Sequence, residues 1–216
     1  MDDTICYREG DAASRALASA DPLMADLIAR VGSVEFQPMR GDRFAVLVRS
    51  VVGQQLSGKA ATTIYGRLAE QVGVTPEALA DAPDDVLLGV GLSHRKAEYV
   101  RGIGEAARAG EIDLARIDGL PDDEIIEQLT ALRGVGTWTA HMFLLFALGR
   151  PDVIAADDLG VQQAAGRVMG LGRAATRREV EQAAERWRPY RSAATLYLYR
   201  EAGMGSEAGG HQSETR

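Results

Sequence analysis

Two short stretches of the chain carry residue types that could do chemistry together. The first reads Leu132-Arg133-Gly134-Val135-Gly136-Thr137-Trp138-Thr139-Ala140, and an apolar run to Leu148 follows it. The second reads Ala155-Ala156-Asp157-Asp158-Leu159. Gly134 and Gly136 flank Val135, and glycine permits positive φ and a close approach between backbone and ligand. A turn of this kind that opens a helix exposes amide hydrogens with no internal partner, which can hold a phosphate without a basic side chain. A short glycine motif is equally a tight connection between two helices, and both readings stand at this point. The acidic pair either caps a helix or supplies a catalytic carboxylate. Together the two stretches suit a protein that grips a nucleic-acid strand and acts on one nucleotide.

These residues must be carried by a helical scaffold. Alanine is abundant, aromatic residues make up 6% of the 216-residue chain, and Val and Ile rarely alternate with polar residues, so helix is favoured over sheet. The apolar share of 46% fits a soluble globular protein with a substantial core, as one domain or two small ones. Helix starts are read at Asp21-Pro22, Ser57, Thr75-Pro76, Asp84, Ser93, Pro121, Thr137, Asp157 or Asp158, and Thr176, with a further helix after Gly41 and a last one after Pro189. Thr137 is expected to cap the helix that runs to Leu148. No strand is expected, the stretch to about Gln37 is weakly informative, and an all-α fold follows. The expected organisation is a lobe of residues 1–40 plus 155–205, a helical lobe of residues 41–154 with the glycine turn, and a mobile tail at 206–216.

Composition also excludes. Cys6 is the only cysteine, so an internal disulfide framework and a multi-cysteine zinc or iron–sulfur site are ruled out. No metal site is expected. The start, Met1-Asp2-Asp3-Thr4, lacks a basic region followed by an apolar run, so no secretory leader is expected, and no apolar run approaches membrane-spanning length. The expectation is a cytoplasmic protein, nucleoid-associated in a bacterium, without a membrane partner. A net charge of −7 counts against nucleic acid as a partner. Acidic residues gather at 81–85 and 118–127, however, away from the glycine turn, and Lys59 and Lys96 are the only lysines among the cations.

Four segments in order carry a family resemblance. They are Gly53-Gln54-Gln55-Leu56-Ser57-x-Lys59-Ala60-Ala61, Gly91-Leu92-Ser93-x-x-Lys96-Ala97, the glycine turn itself, and Trp187-Arg188-Pro189-Tyr190-Arg191-Ser192-x-Ala194. Over roughly 44–199 the chain resembles the helix–hairpin–helix DNA glycosylase superfamily, in its alkyladenine (AlkA-type, 3-methyladenine DNA glycosylase II) branch. Arg133 departs from the pattern, which usually has proline there.

The resemblance implies an all-α fold of two lobes with a DNA cleft between them and Asp158 facing that cleft. It implies hydrolysis of the N-glycosidic bond of alkylated purines in double-stranded DNA, by a monomer, as a step of base excision repair. Asp158 matches the family's catalytic aspartate, which stabilises positive charge developing on the sugar and can orient water; Asp157 is then the cap. Bifunctional relatives carry a Schiff-base lysine where this chain has Trp138, so no strand-cutting lyase step is expected. No cofactor is required, and a monovalent cation bridging hairpin and phosphate is compatible with the motif.

Trp138, Tyr190 and Met142 are the expected base pocket, with Trp138 offering a cationic purine an indole face. Trp187 could line the same pocket or pack in the core, the core being favoured. Gly134, Val135, Gly136, Thr137, Lys59 and Lys96 are the expected DNA-backbone contacts. Either Gln55 or Leu56 fills the gap left by the extruded base, unless Leu56 packs inside. His141 and the His94-Arg95-Lys96 cluster are read either as DNA contacts or as structural or solvated residues. Without catalysis, the same features describe a helix–hairpin–helix DNA-binding protein, or a helical protein–protein module in which the glycines only turn the chain.

Overall fold

The computed structural model describes residues 4–39 and 41–203. The chain begins with β1 (Ile5–Tyr7), α1 (Ala12–Ala20), α2 (Pro22–Val31) and β2 (Val34–Phe36). Then come α3 (Arg43–Gly53), α4 (Gly58–Gln71), α5 (Pro76–Ala80), α6 (Asp84–Gly89), α7 (His94–Arg108), α8 (Asp122–Ala131) and α9 (Thr137–Met142). A π-helical segment, Phe143–Ala147, leads on to α10 (Leu159–Val168), α11 (Arg177–Ala184) and α12 (Arg191–Glu201).

Most helices start where a side chain replaces the missing turn. Asp21, Ser57, Thr75 and Ser93 each accept a hydrogen bond from an amide of the helix they precede, and Pro22 and Pro76 supply the fixed φ of a first turn. Thr176 and Glu179 close a reciprocal capping box. These starts fall where the sequence places them. Two features of the N-terminal stretch do not follow from the sequence reading. Asp11 caps α1, and β1 pairs antiparallel with β2, Ile5 opposite Phe36 and Tyr7 opposite Val34. Three residues per strand are too few for alternation to announce a strand. The fold is otherwise helical, as expected.

The chain divides into two compact units. Residues up to 38 join 144 onward in one unit, and 39–143 form the other. The change of unit thus falls at 143/144, earlier than the 154/155 boundary drawn from sequence. Residues 206–216 lie outside the described residues.

In the first unit, α12 is buried from Ser192 through Tyr199. Phe146 meets Phe36 edge-on at 5.4 Å and stacks on Tyr199 at 6.4 Å. The indole of Trp187, also buried, donates to Asp21 Oδ2 at 3.0 Å. Trp187 is therefore a core residue, the favoured of its two readings.

In the second unit, α3 contributes Phe44, Leu47, Val48, Val51 and Val52 to the core and α7 contributes Val100 and Ile103. The acidic segments are tied to arginines: Asp81 to Arg108, Asp84 to Arg101, and Asp118 to both Nε and Nη2 of Arg43. Part of the negative charge is thereby matched locally.

Candidate active site

The candidate residues fall into both units. In the second unit, Leu132 closes α8, and Val135 N donates to Leu132 O at 3.1 Å. Gly134 has φ +90°, and a Cβ there would collide with the ring of Tyr99, so only glycine fits. Val135 turns inward and is buried, while Gly136 is exposed. The expected cap at Thr137 is corrected by the structure. Gly136 is the N-cap, Thr137 is the first helical residue, and no side chain caps α9. A glycine cap has no side chain to accept from the opening amides, so no cap competes with a ligand for them.

The turn is braced from a distance. Gln54 Nε2 donates to Gly134 O at 3.0 Å and to the buried Thr139 Oγ1 at 3.1 Å. Lys96 Nζ donates to Val52 O at 2.7 Å and to Gln54 O at 2.6 Å. Two of the three ammonium hydrogens of Lys96 thus point into the protein, and its partial burial lowers the pKa from the ordinary lysine range. Lys96 thereby holds the end of α3. Lys59, at the start of α4, is exposed.

Between Gln54 and α4, Gln55 adopts φ +59°, the only positive φ outside glycine among the described residues. Such a conformation persists only where the surroundings hold it, and Lys96 bonds the carbonyl of Gln54 immediately before it. Gln55 and Leu56 are both exposed, so Leu56 does not pack inside. Trp138 is 40% exposed although it stands in the first turn of α9, whereas Met142, one turn on, is buried.

In the first unit, Asp158 Oδ1 accepts from Val161 N at 3.1 Å and caps α10. The expected division of labour, with Asp157 as cap, is corrected. Asp157 pairs with Arg177 Nη1 at 3.2 Å, and the half-buried Asp158 is the cap. The reason is register: with Leu159 as first helical residue, the amide offered to a cap lies within reach of Asp158.

The segment leading to Asp158 is fastened along one face of α12. Arg191 Nε and Nη2 hold Asp152, Ser192 Oγ accepts from Val153 N at 3.0 Å, and Thr195 Oγ1 donates to Val153 O at 3.0 Å. One turn further, the hydroxyl of Tyr199 hydrogen-bonds the Asp158 carboxylate. Burial pushes that phenol well above its ordinary pKa, and the negative charge of Asp158 adds to the effect. Ser192, Thr195 and Tyr199 are polar groups at helical spacing in a buried helix, and that pattern is the sequence signal that could have revealed Tyr199. Tyr190, the N-cap residue of α12, is half-buried.

The units thus present a glycine turn opening an uncapped helix beside an exposed indole, and a carboxylate fixed by an amide and a phenol. The first can bind a phosphodiester; the second can stabilise a cationic sugar.

Comparison with known proteins agrees. The DNA-3-methyladenine glycosylase 1 of Schizosaccharomyces pombe is 32% identical over 85% of this chain and 84% of its own. The solved DNA-3-methyladenine glycosidase of Bacillus halodurans superposes with TM-score 0.84 at 35% identity, covering 94% of this chain and 95% of that one. The Schizosaccharomyces pombe 3-methyladenine DNA glycosylase in complex with abasic DNA superposes with TM-score 0.77 at 31% identity, covering 94% and 100%. The family model of the HhH-GPD superfamily base excision DNA repair protein matches residues 48–189. With most of its length in that match, this chain belongs to the HhH-GPD superfamily of base excision DNA repair proteins.

Proposed function

We propose that this protein is a monofunctional DNA glycosylase that hydrolyses the N-glycosidic bond of N3- or N7-alkylated purines in duplex DNA. The observation that carries the proposal is the Asp158 carboxylate, held by the Val161 amide and the Tyr199 hydroxyl at the head of α10. The resemblance of the sequence to the superfamily matches Asp158 to the catalytic aspartate, which supports the reading.

Alkylation leaves the purine positively charged, so the base departs with the electron pair of the C1′–N bond and becomes neutral. C1′ acquires oxocarbenium character. A fixed carboxylate lowers the energy of that charge, at a typical worth of 100- to 1000-fold in rate. Water then forms the new bond at C1′ and gives its proton to Asp158 or to solvent. An abasic site and a free base result.

The remaining residues divide the work. The amides that open α9 at Gly136 and Thr137 hold a strand phosphate, and Lys59 adds a mobile charge. Gln55, strained and exposed, or Leu56 beside it, fills the gap in the stack. The Trp138 indole attracts a cationic base by about 0.5–2 kcal/mol. The resemblance puts Trp138 where bifunctional relatives carry the Schiff-base lysine, and Lys96 is engaged with two carbonyls, which supports simple hydrolysis over lyase chemistry.

Duplex DNA treated with a methylating agent tests the proposal. Mass spectrometry should detect free 3-methyladenine or 7-methylguanine, and the strand should stay intact until alkali is added. Absence of released base, or direct strand cleavage through a borohydride-trapped adduct, would refute it.

A further inference from the structure

Beside the glycine turn lies a group of side chains that the hydrolysis reading leaves unused. Tyr99, on α7, packs its ring against the backbone of Gly134. Arg95, one turn earlier on α7, donates through Nε and Nη2 to Tyr99 Oη at 3.3 and 3.1 Å, and its guanidinium carbon lies 5.9 Å from the ring centroid. Arg133, immediately before the turn, places its guanidinium carbon 6.0 Å from the same centroid. Its Nη1 also meets Glu98 at 2.9 Å.

We propose that Arg95 and Arg133, arranged by the ring of Tyr99, form a second phosphate-binding element that takes a neighbouring phosphate of the DNA strand held by the glycine turn. The proposal rests on the DNA glycosylase reading above.

Both arginines are exposed, Arg133 with 75% of its side chain accessible. Arg95 spends Nε and Nη2 on Tyr99 Oη, leaving Nη1 for a ligand, and a guanidinium already held beside an aromatic ring loses less freedom when it binds an oxyanion. Two such groups on one ring raise the local positive potential in a chain whose net charge is −7. An exposed ion pair such as Arg133–Glu98 contributes little to folding, and Glu98 is better read as a weak competitor that a phosphate displaces.

The test is fluorescence anisotropy with a short duplex containing a tetrahydrofuran abasic analogue, across a salt series, alongside base release from methylated DNA. The double variant Arg95→Ala/Arg133→Ala should bind on the order of tenfold more weakly and show a log K against log salt slope shallower by about 1 to 2. Arg95→Lys/Arg133→Lys should retain most of the slope, and thermal unfolding should be unchanged in both. Glu98→Gln should tighten binding roughly two- to threefold, because it removes a negative charge beside the phosphate.

A double alanine variant with wild-type affinity and slope, while wild type binds and releases base, would overturn the proposal alone. Weaker binding by Glu98→Gln would also overturn it, since a purely structural ion pair predicts that sign. Wild-type protein that neither binds the duplex nor releases base would overturn the glycosylase reading and this proposal together.

Discussion

The glycine turn and the head of α10 solve different problems by different means. At the turn, the proposed function resides in the backbone: φ +90° at Gly134, an uncapped helix start at Gly136, and side chains from elsewhere that hold the carbonyl of Gly134 and the end of α3. At α10, the proposed function resides in one side chain, and the backbone serves only to orient it. Asp158 is fixed by Val161 N and Tyr199, and the strand of chain before it is laced to α12 through Asp152 and Val153. The first region should therefore be broken by changes in backbone shape, which affect binding. The second should be broken by changes of charge or hydrogen bonding that leave shape alone, which affect rate.

The largest effect is expected from Asp158→Asn. Asparagine is as good a helix cap as aspartate, so melting temperature and DNA affinity should hardly change. Base release should fall 100- to 1000-fold or more, measured in single turnover. Retained activity would move the chemistry elsewhere.

Gly134→Ala comes next. It imposes a side chain at φ +90° and drives it into the Tyr99 ring. A stability loss of about 1–3 kcal/mol is expected by thermal or denaturant unfolding. DNA affinity, followed by anisotropy, should drop roughly tenfold with the loss of a well-made phosphate contact.

Tyr199→Phe sharpens the contrast on the other side. It keeps the ring on Phe146 and removes only the hydroxyl bonded to Asp158. The maximal rate should decline about 3- to 10-fold, the worth of one such hydrogen bond, at unchanged affinity. An affinity loss without a rate loss would assign Tyr199 to binding instead.

The smallest effect concerns the capping box of α11. Glu179, bonded to Arg173 and to Thr176 in the capping box of α11, has its pKa lowered to about 2. Its folded pKa lies below the ordinary 4.5, so its stabilisation is present above that value and is lost as pH falls from 4.5 toward 2. Glu179→Gln should therefore melt slightly lower than wild type at neutral pH and no lower near pH 2, as followed by circular dichroism.

Much of the scaffold was legible because helix starts are written locally. Asp21-Pro22, Ser57, Thr75-Pro76, Ser93 and Thr176 each need only their own next turn. The glycine turn was legible for the same reason. What escaped was register and partnership. A shift of one residue moved the cap from Asp157 to Asp158 and from Thr137 to Gly136, and local sequence cannot fix a boundary so finely. Lys96 looked like a surface cation, but its two carbonyl partners lie at Val52 and Gln54, far back in sequence. Tyr199 was invisible beside Asp158 because only packing of α12 brings them together. The two strands were too short to show a period.

Single-turnover release of 7-methylguanine from a duplex, compared at saturating enzyme for wild type, Gly134→Ala and Asp158→Asn, tests the separation of binding from chemistry most directly. Saturation should return Gly134→Ala to near the wild-type rate and leave Asp158→Asn slow. A fast Asp158→Asn, or a Gly134→Ala that stays slow when fully bound, would contradict it.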